Sequence, residues 1–147
     1  MLFFYYAHPC APTRRSRKLI SEVDERIMEG LIQNKIAPSR QLLEQWFPDA
    51  VRSLILLYGL DEYLNEPWPV EIVRTFWRAH KGKDPRCATF CGPVVAINGI
   101  AVRVKVLQYL LPVSTFNYYA FPVALGDTAY FHINRITEVE PQKKVKP

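Results

Sequence analysis

The chain has 147 residues, of which 49 % are hydrophobic, 13 % aromatic and 22 % charged, a balance that excludes intrinsic disorder and fits an ordinary globular fold. At this length folding buries about two-thirds of the surface of the unfolded chain, so one domain or two small ones need neither a disulfide nor a metal staple. Nineteen Lys and Arg against fourteen Asp and Glu leave a formal charge of +5, and a pI near 9.2 brings nucleic acid into consideration as a partner.

Leu2 to Ala7 are apolar and rich in aromatic rings and stop at His8-Pro9, which predicts a short strand buried on both faces. The run is too short for a secretory leader and has no positive region before it. No stretch of the chain approaches the roughly 20 apolar residues that a membrane helix needs. Three cysteines, Cys10, Cys87 and Cys91, leave at least one thiol unpaired in any disulfide scheme, which suits a reducing compartment. The expectation is a soluble, cytoplasmic protein without a membrane partner.

Ser16 is the predicted cap of a first helix that runs to about Asn34, with Leu19, Ile20, Val23, Ile27 and Leu31 at helical spacing. Ser39 caps a second helix carrying Leu42, Leu43, Trp46 and Phe47. Pro48 opens a third, where its missing N–H costs nothing, and Gly59 ends it. Asp61 to Pro69 read as a rigid connector, and a fourth helix runs from Pro69 through His80. One face of that helix holds Ile72, Val73, Phe76 and Trp77, expected to join the helices to the C-terminal half of the chain; the other presents Arg74, Arg78 and Lys81. The Ser39 pair of helices has the outline of a helix-turn-helix, but its apolar positions leave few polar side chains to read a groove.

Past Gly82 the helical period gives way to β-branched residues and turn signals, which places a boundary near residue 86. The predicted strands are Val94 to Ile97, Ile100 to Leu107 after an Asn98-Gly99 turn, Tyr118 to Val123, Thr128 to Ile133 and Ile136 to Val139. Val102, Val104 and Val106 alternate with Arg103 and Lys105, as in a strand with one buried and one wet face. The organisation is thus a mainly helical region over 1–86, a small β-barrel over 87–140 and a basic tail over 141–147. The closing segment GDTAYFHINRITEVE resembles the last strands of SH3-like small barrels of the Tudor, KOW and retroviral-integrase C-terminal kind, in which a short helical turn precedes a brief final strand. The resemblance covers residues 94–140 and implies a fold, not a functional residue. The fold class is therefore α+β: an N-terminal strand and about four helices, then a five-stranded SH3-like barrel or a twisted antiparallel meander.

His80, Cys87 and Cys91, with His8 and Cys10 as further donors, are the residues that zinc would use. Their spacings contain no tight Cys-x2-Cys pair, and buried thiols are ordinary core residues, so no metal and no cofactor are expected. There is no nucleophile elbow, phosphate loop or dinucleotide fingerprint, and the protein reads as non-enzymatic. Three basic clusters, Arg14, Arg15, Arg17 and Lys18, then Arg74, Arg78, Lys81, Lys83 and Arg86, and Lys143, Lys144 and Lys146 at the C-terminus, either converge on the phosphates of a nucleic acid or are solvated helix ends and tail. Tyr109, Tyr118, Tyr119 and Tyr130 offer stacking surfaces beside basic residues. Trp68, Tyr118 and Tyr119 are the candidate protein interface, because three Trp, eight Tyr and eight Phe look too many for so small a core. The expected function is an accessory or adaptor subunit of a nucleoprotein complex that contacts RNA or DNA; the alternative is a purely structural subunit of a protein assembly.

Overall fold

A computed structural model describes residues 1–60, 68–80 and 88–143, and the chain divides into two compact units, Met1–Ala79 and His80–Pro147. In the first unit α1 (Leu2–Ala7), a 3₁₀ turn (His8–Cys10) and α2 (Ala11–Ser16) run almost without a break, followed by α3 (Glu22–Gln33), α4 (Arg40–Trp46), α5 (Pro48–Tyr58) and α6 (Val70–Ala79). The expected N-terminal strand is a helix. Among the described residues every strand lies in the second unit, and the backbone of residues 2–7 satisfies itself with Tyr5 N–H to Met1 carbonyl and His8 N–H to Phe4 carbonyl. Strand propensity yields here because the aromatic rings find their partners on other helices.

The cap of the long helix also moves. Ser16 closes α2, its hydroxyl donating to the Thr13 carbonyl, and Lys18 takes a positive φ of 58° that breaks the helix. The chain restarts at Ser21, whose hydroxyl accepts from Asp24 N–H while the Asp24 carboxylate accepts from Ser21 N–H, a complete capping box. The new phase rotates α3. Met28 becomes the fully buried residue, and Leu19, Val23 and Ile27 of the predicted apolar stripe are exposed. Three other signals hold: Ser39 accepts from Leu42 N–H to cap α4, Pro48 opens α5, and Gly59 ends it in the left-handed region at φ 63°, where glycine carries no Cβ penalty. Residues 61–67 of the expected connector lie outside the described residues.

The helical core is built of rings. Phe3, Phe4, Tyr6, Trp46, Phe47, Trp68, Phe76 and Trp77 are all buried with Met28, Leu54 and Leu60. Trp77 lies parallel to Tyr6 at 5.9 Å and edge-on to Phe3 at 5.2 Å, offset and tilted contacts that aromatic pairs favour. The Val73, Phe76 and Trp77 face of α6, expected to join the helices to the C-terminal half, packs on α1 within its own unit.

The second unit is a closed, mixed five-stranded barrel in the order β1-β2-β3-β5-β4, with β4 returning to β1; its strands are β1 (Phe90–Asn98), β2 (Ala101–Val104), β3 (Val113–Phe116), β4 (Thr128–His132) and β5 (Arg135–Glu140). A small SH3-like barrel is compatible with this outline. The spatial order 4-1-2-3 is a Greek key, and β3 pairs in parallel with β5. Val94, Val102, Val104, Val106, Ala129, Phe131 and Ile136 fill the interior, as the alternation over Val102 to Val106 predicts.

Three local features differ from the predicted strands. The first turn is Gly99-Ile100, one residue later than expected, since Asn98 pairs with Ala101 and Gly99 alone has a positive φ. The third strand is Val113–Phe116, whereas Tyr118 to Val123 form a loop: the Asn117 amide donates to the Phe121 carbonyl and accepts from Phe121 N–H, closing the chain around Ala120 at φ 54°. Instead of a helical turn before the last strand, Ile133 and Asn134 both adopt positive φ, the geometry of a tight hairpin.

Candidate nucleic-acid interface

The expected basic clusters are largely occupied by neighbours in their own unit. Arg15 makes ion pairs with Glu22 at 3.5 Å and Glu25 at 3.1 Å. The Arg14 guanidinium lies over the Phe47 ring at 5.8 Å. Arg74 is bound to Glu71 one turn earlier on α6, and Arg78 is half-buried. Arg17 and Lys18 are exposed in the turn between α2 and α3. Lys81, Lys83 and Arg86 lie outside the described residues, and with them the end of the cationic stripe.

The candidate interface aromatics separate. Trp68 is only 8 % exposed; it sits against Phe3 at 5.1 Å with the Arg40 guanidinium over its ring at 5.0 Å, so it is a core residue and no exposed anchor. Tyr119 is buried and meets Tyr118 edge-on at 5.3 Å. Tyr118 remains 40 % exposed.

What the barrel does assemble is a surface patch around the ends of β3 and β5. Thr115 is buried, so its neighbours Ser114 and Phe116 point outward, and Phe116 is 45 % exposed. Arg103 lies opposite Ser114 on β2, which makes it a diagonal neighbour of Phe116 at the spacing of about 7–8 Å usual across a strand pair. Arg135 pairs with Phe116 from the parallel strand β5, and its guanidinium stands 4.2 Å from the centre of the Tyr118 ring. The Asn117 clamp fixes the loop that carries Tyr118 and Tyr119, while Asn117 N–H donates to the Ile100 carbonyl at 2.7 Å. Two aromatic rings and two guanidinium groups thus share one side of the barrel on a backbone held from both ends. Phe116 is not among the residues that the sequence singles out, because it falls between two predicted strands; Arg135 is visible there only as a charge. The signal that could have found the patch is the alternation Val113, Thr115 inward and Ser114, Phe116 outward.

Among the described residues no three His, Cys, Asp or Glu side chains converge on a point that could hold a metal. His8 is buried and reaches Glu29 at 3.4 Å, Cys10 is half-buried, and Cys91 is exposed on β1. His80 is partly buried, and desolvation holds its imidazole below the usual histidine range. Cys87 lies outside the described residues. Among the described residues, no helix is long and apolar enough to cross a membrane. No protein-family model, curated protein or solved structure matches this chain.

Proposed function

We propose that the protein is a non-enzymatic accessory subunit of a nucleoprotein complex and that its barrel holds single-stranded nucleic acid on the patch formed by Arg103, Phe116, Tyr118 and Arg135. The observation that carries this reading is the Arg135 guanidinium set over the Tyr118 ring beside the exposed ring of Phe116. Bases stack on aromatic faces irrespective of sequence, and guanidinium groups neutralise the phosphates between them. The location agrees with a fold-level analogy: five-stranded Greek-key barrels of the OB type hold oligonucleotides on the strand 2 and 3 face. Arg17 and Lys18 are exposed cations of the helical unit and supply phosphate contacts of the sequence-independent kind.

The test is fluorescence anisotropy of the full chain with labelled single-stranded RNA and DNA of about 16 nucleotides, the upper site size of one small barrel, across a salt series. Tyr118→Ala is expected to weaken binding about tenfold, the value of one lost stacked base at about 1–3 kcal/mol. Arg103→Glu is expected to lower the slope of log K against log salt by about 1 or more. Affinity unchanged in both variants excludes the patch. The structural-subunit reading gains from a different observation, the leucines at the opposite end of β2 and β3.

A further inference from the structure

The loop from Lys105 to Pro112 joins the end of β2 to the start of β3 and carries Leu107, Leu110 and Leu111, which are 99 %, 97 % and 77 % exposed. An isolated exposed leucine needs no explanation, but three within five residues form a contiguous apolar knob of the kind that marks an interaction site. The knob is held in shape. The Lys105 ammonium donates to the Tyr109 carbonyl at 2.7 Å and to the Leu110 carbonyl at 2.9 Å, Tyr109 N–H donates to the Val106 carbonyl at 3.1 Å, and Lys105 N–H donates to the Pro93 carbonyl on β1. Val106 is buried beneath it. A lysine that folds back onto two carbonyls orders the leucines before any partner arrives, which removes much of the ordering cost of association.

Beside the knob the barrel has a hollow. It measures about 280 Å³ and is lined by Phe90, Tyr109, Val113, Phe131, Ile133 and Asn134, with the Phe90 ring 6.0 Å from Tyr109 and 5.8 Å from Phe131. The void opened when one leucine side chain is deleted from a core is on the order of 150 Å³, so the hollow has room for about two. Tyr109 belongs both to the leucine loop and to the wall of the hollow, which places knob and socket side by side. That juxtaposition is what a two-fold axis requires, because an isologous contact uses one self-complementary patch on both copies.

We propose that the protein forms a two-fold dimer in which the leucines of each copy's β2–β3 loop enter the hollow beside Tyr109 of the other. The occupant is a second copy and no foreign chain, because socket volume, lining chemistry and knob match within one molecule. The largest apolar patch of an ordinary monomer covers about 300–600 Å² and a stable interface takes ~800 Å² per partner; Leu107, Leu110 and the largely exposed Leu111 with the hollow form the apolar centre of such a surface, and its rim supplies the rest. The inference does not draw on the nucleic-acid reading: the leucine loop lies at the far end of β2 and β3 from Phe116, and the hollow adjoins that patch at Asn134, whose carbonyl accepts from Phe116 N–H at 2.9 Å.

Sedimentation velocity of the full chain at micromolar concentrations tests it. The wild-type chain is expected to sediment as a dimer, and Leu107→Ser with Leu110→Ser to sediment as a monomer with an unchanged far-ultraviolet spectrum, because neither side chain is in the core. Leu110→Glu, which places a charge in an apolar socket, is expected to weaken the dimer by at least a hundredfold. Lys105→Met, which keeps the length of the side chain and removes its donors, is expected to weaken it less, through loss of loop order. A monomeric wild-type chain, a dimer indifferent to Leu110→Glu, or open-ended oligomers would each overturn the proposal.

Discussion

The two units solve the problem of filling a core in opposite ways. The helical unit buries eight aromatic rings and the barrel a set of valines with one phenylalanine and one isoleucine. Short helices such as α1 and α2 gain little from their own hydrogen bonds and need large side chains to bridge the distance between axes. Barrel diameter grows with strand number, so a five-stranded barrel has a narrow interior that smaller side chains fill. The difference reassigns the aromatic surplus: Trp46, Trp68 and Trp77 are buried in the helical unit and advertise no partner. In the barrel Phe116, Tyr118 and the leucines of the β2–β3 loop face water, and in the helical unit Leu56, Leu57 and Tyr58 at the end of α5 do. The helical unit holds Arg14, Arg15, Arg26, Arg40 and Arg74 in ion pairs and ring contacts, whereas in the barrel Arg135 stands over the ring of the exposed Tyr118.

Four substitutions put this contrast to the test. The largest effect is expected for Trp46→Ala. Its ring is fully buried against Phe4 at 6.1 Å and its indole N–H donates to Asp24; loss of about 3–5 kcal/mol is expected, read by urea denaturation followed at the helical circular-dichroism band. A loss below about 1 kcal/mol, the size of a peripheral contact, would show that the ring core does not hold the helical unit. Next comes Gly92→Ala on β1. An added Cβ there overlaps the Lys105 carbonyl and approaches the Val104 side chain at 3.3 Å, so closure of the barrel requires glycine at this position. A cost of about 1–3 kcal/mol is expected from overpacking, visible as a lower melting temperature.

Asp24→Ala ranks third, at about 1–2 kcal/mol, because it removes both the capping box of α3 and the acceptor for Trp46. This residue also predicts a pH dependence. The Ser21 backbone N–H, then the Ser21 hydroxyl and the Trp46 indole, hold the Asp24 carboxyl below the usual aspartate value. A depressed folded-state pKa contributes stability that is complete above the unfolded value of about 4 and is lost as pH falls through the lower folded one. Stability of the wild-type chain is therefore expected to decline below about pH 4 more steeply than that of Asp24→Asn; parallel curves would show that Asp24 has no part in the acid loss. The smallest effect has the opposite sign. Gly30 lies within α3 with no atom within 4 Å of an added Cβ, so Gly30→Ala is expected to stabilise by about 0.5–1 kcal/mol in the same denaturation assay. The same chemical change thus harms the barrel and helps the helices, since only one of the two glycines touches another strand.

Local chemistry made much of the fold legible. Ser39, Pro48 and Gly59 mark helix ends by what their own atoms do to nearby N–H and carbonyl groups, and Val102 to Val106 reveal a half-wet strand by period alone. Ser21 and Asp24 carried a capping signature that Ser16 obscured, because both serines precede the same apolar stripe. The candidate site was less visible. Tyr118 stood out as an aromatic beside basic residues, but its partner Arg135 is distant in the chain and meets it only through the β3–β5 pairing.

Local residue order is enough for the change from helices to strands, the alternation that lines the barrel and the turns that glycine and proline impose, all of which depend on residues a few positions apart. Tertiary structure alone decided that LFFYYA is a helix, that the tryptophans lie inside, which arginines are held by glutamates, and that the leucines of the β2–β3 loop face water. Each of these depends on which distant segments meet, and an apolar residue carries the same pattern whether a neighbour covers it or not.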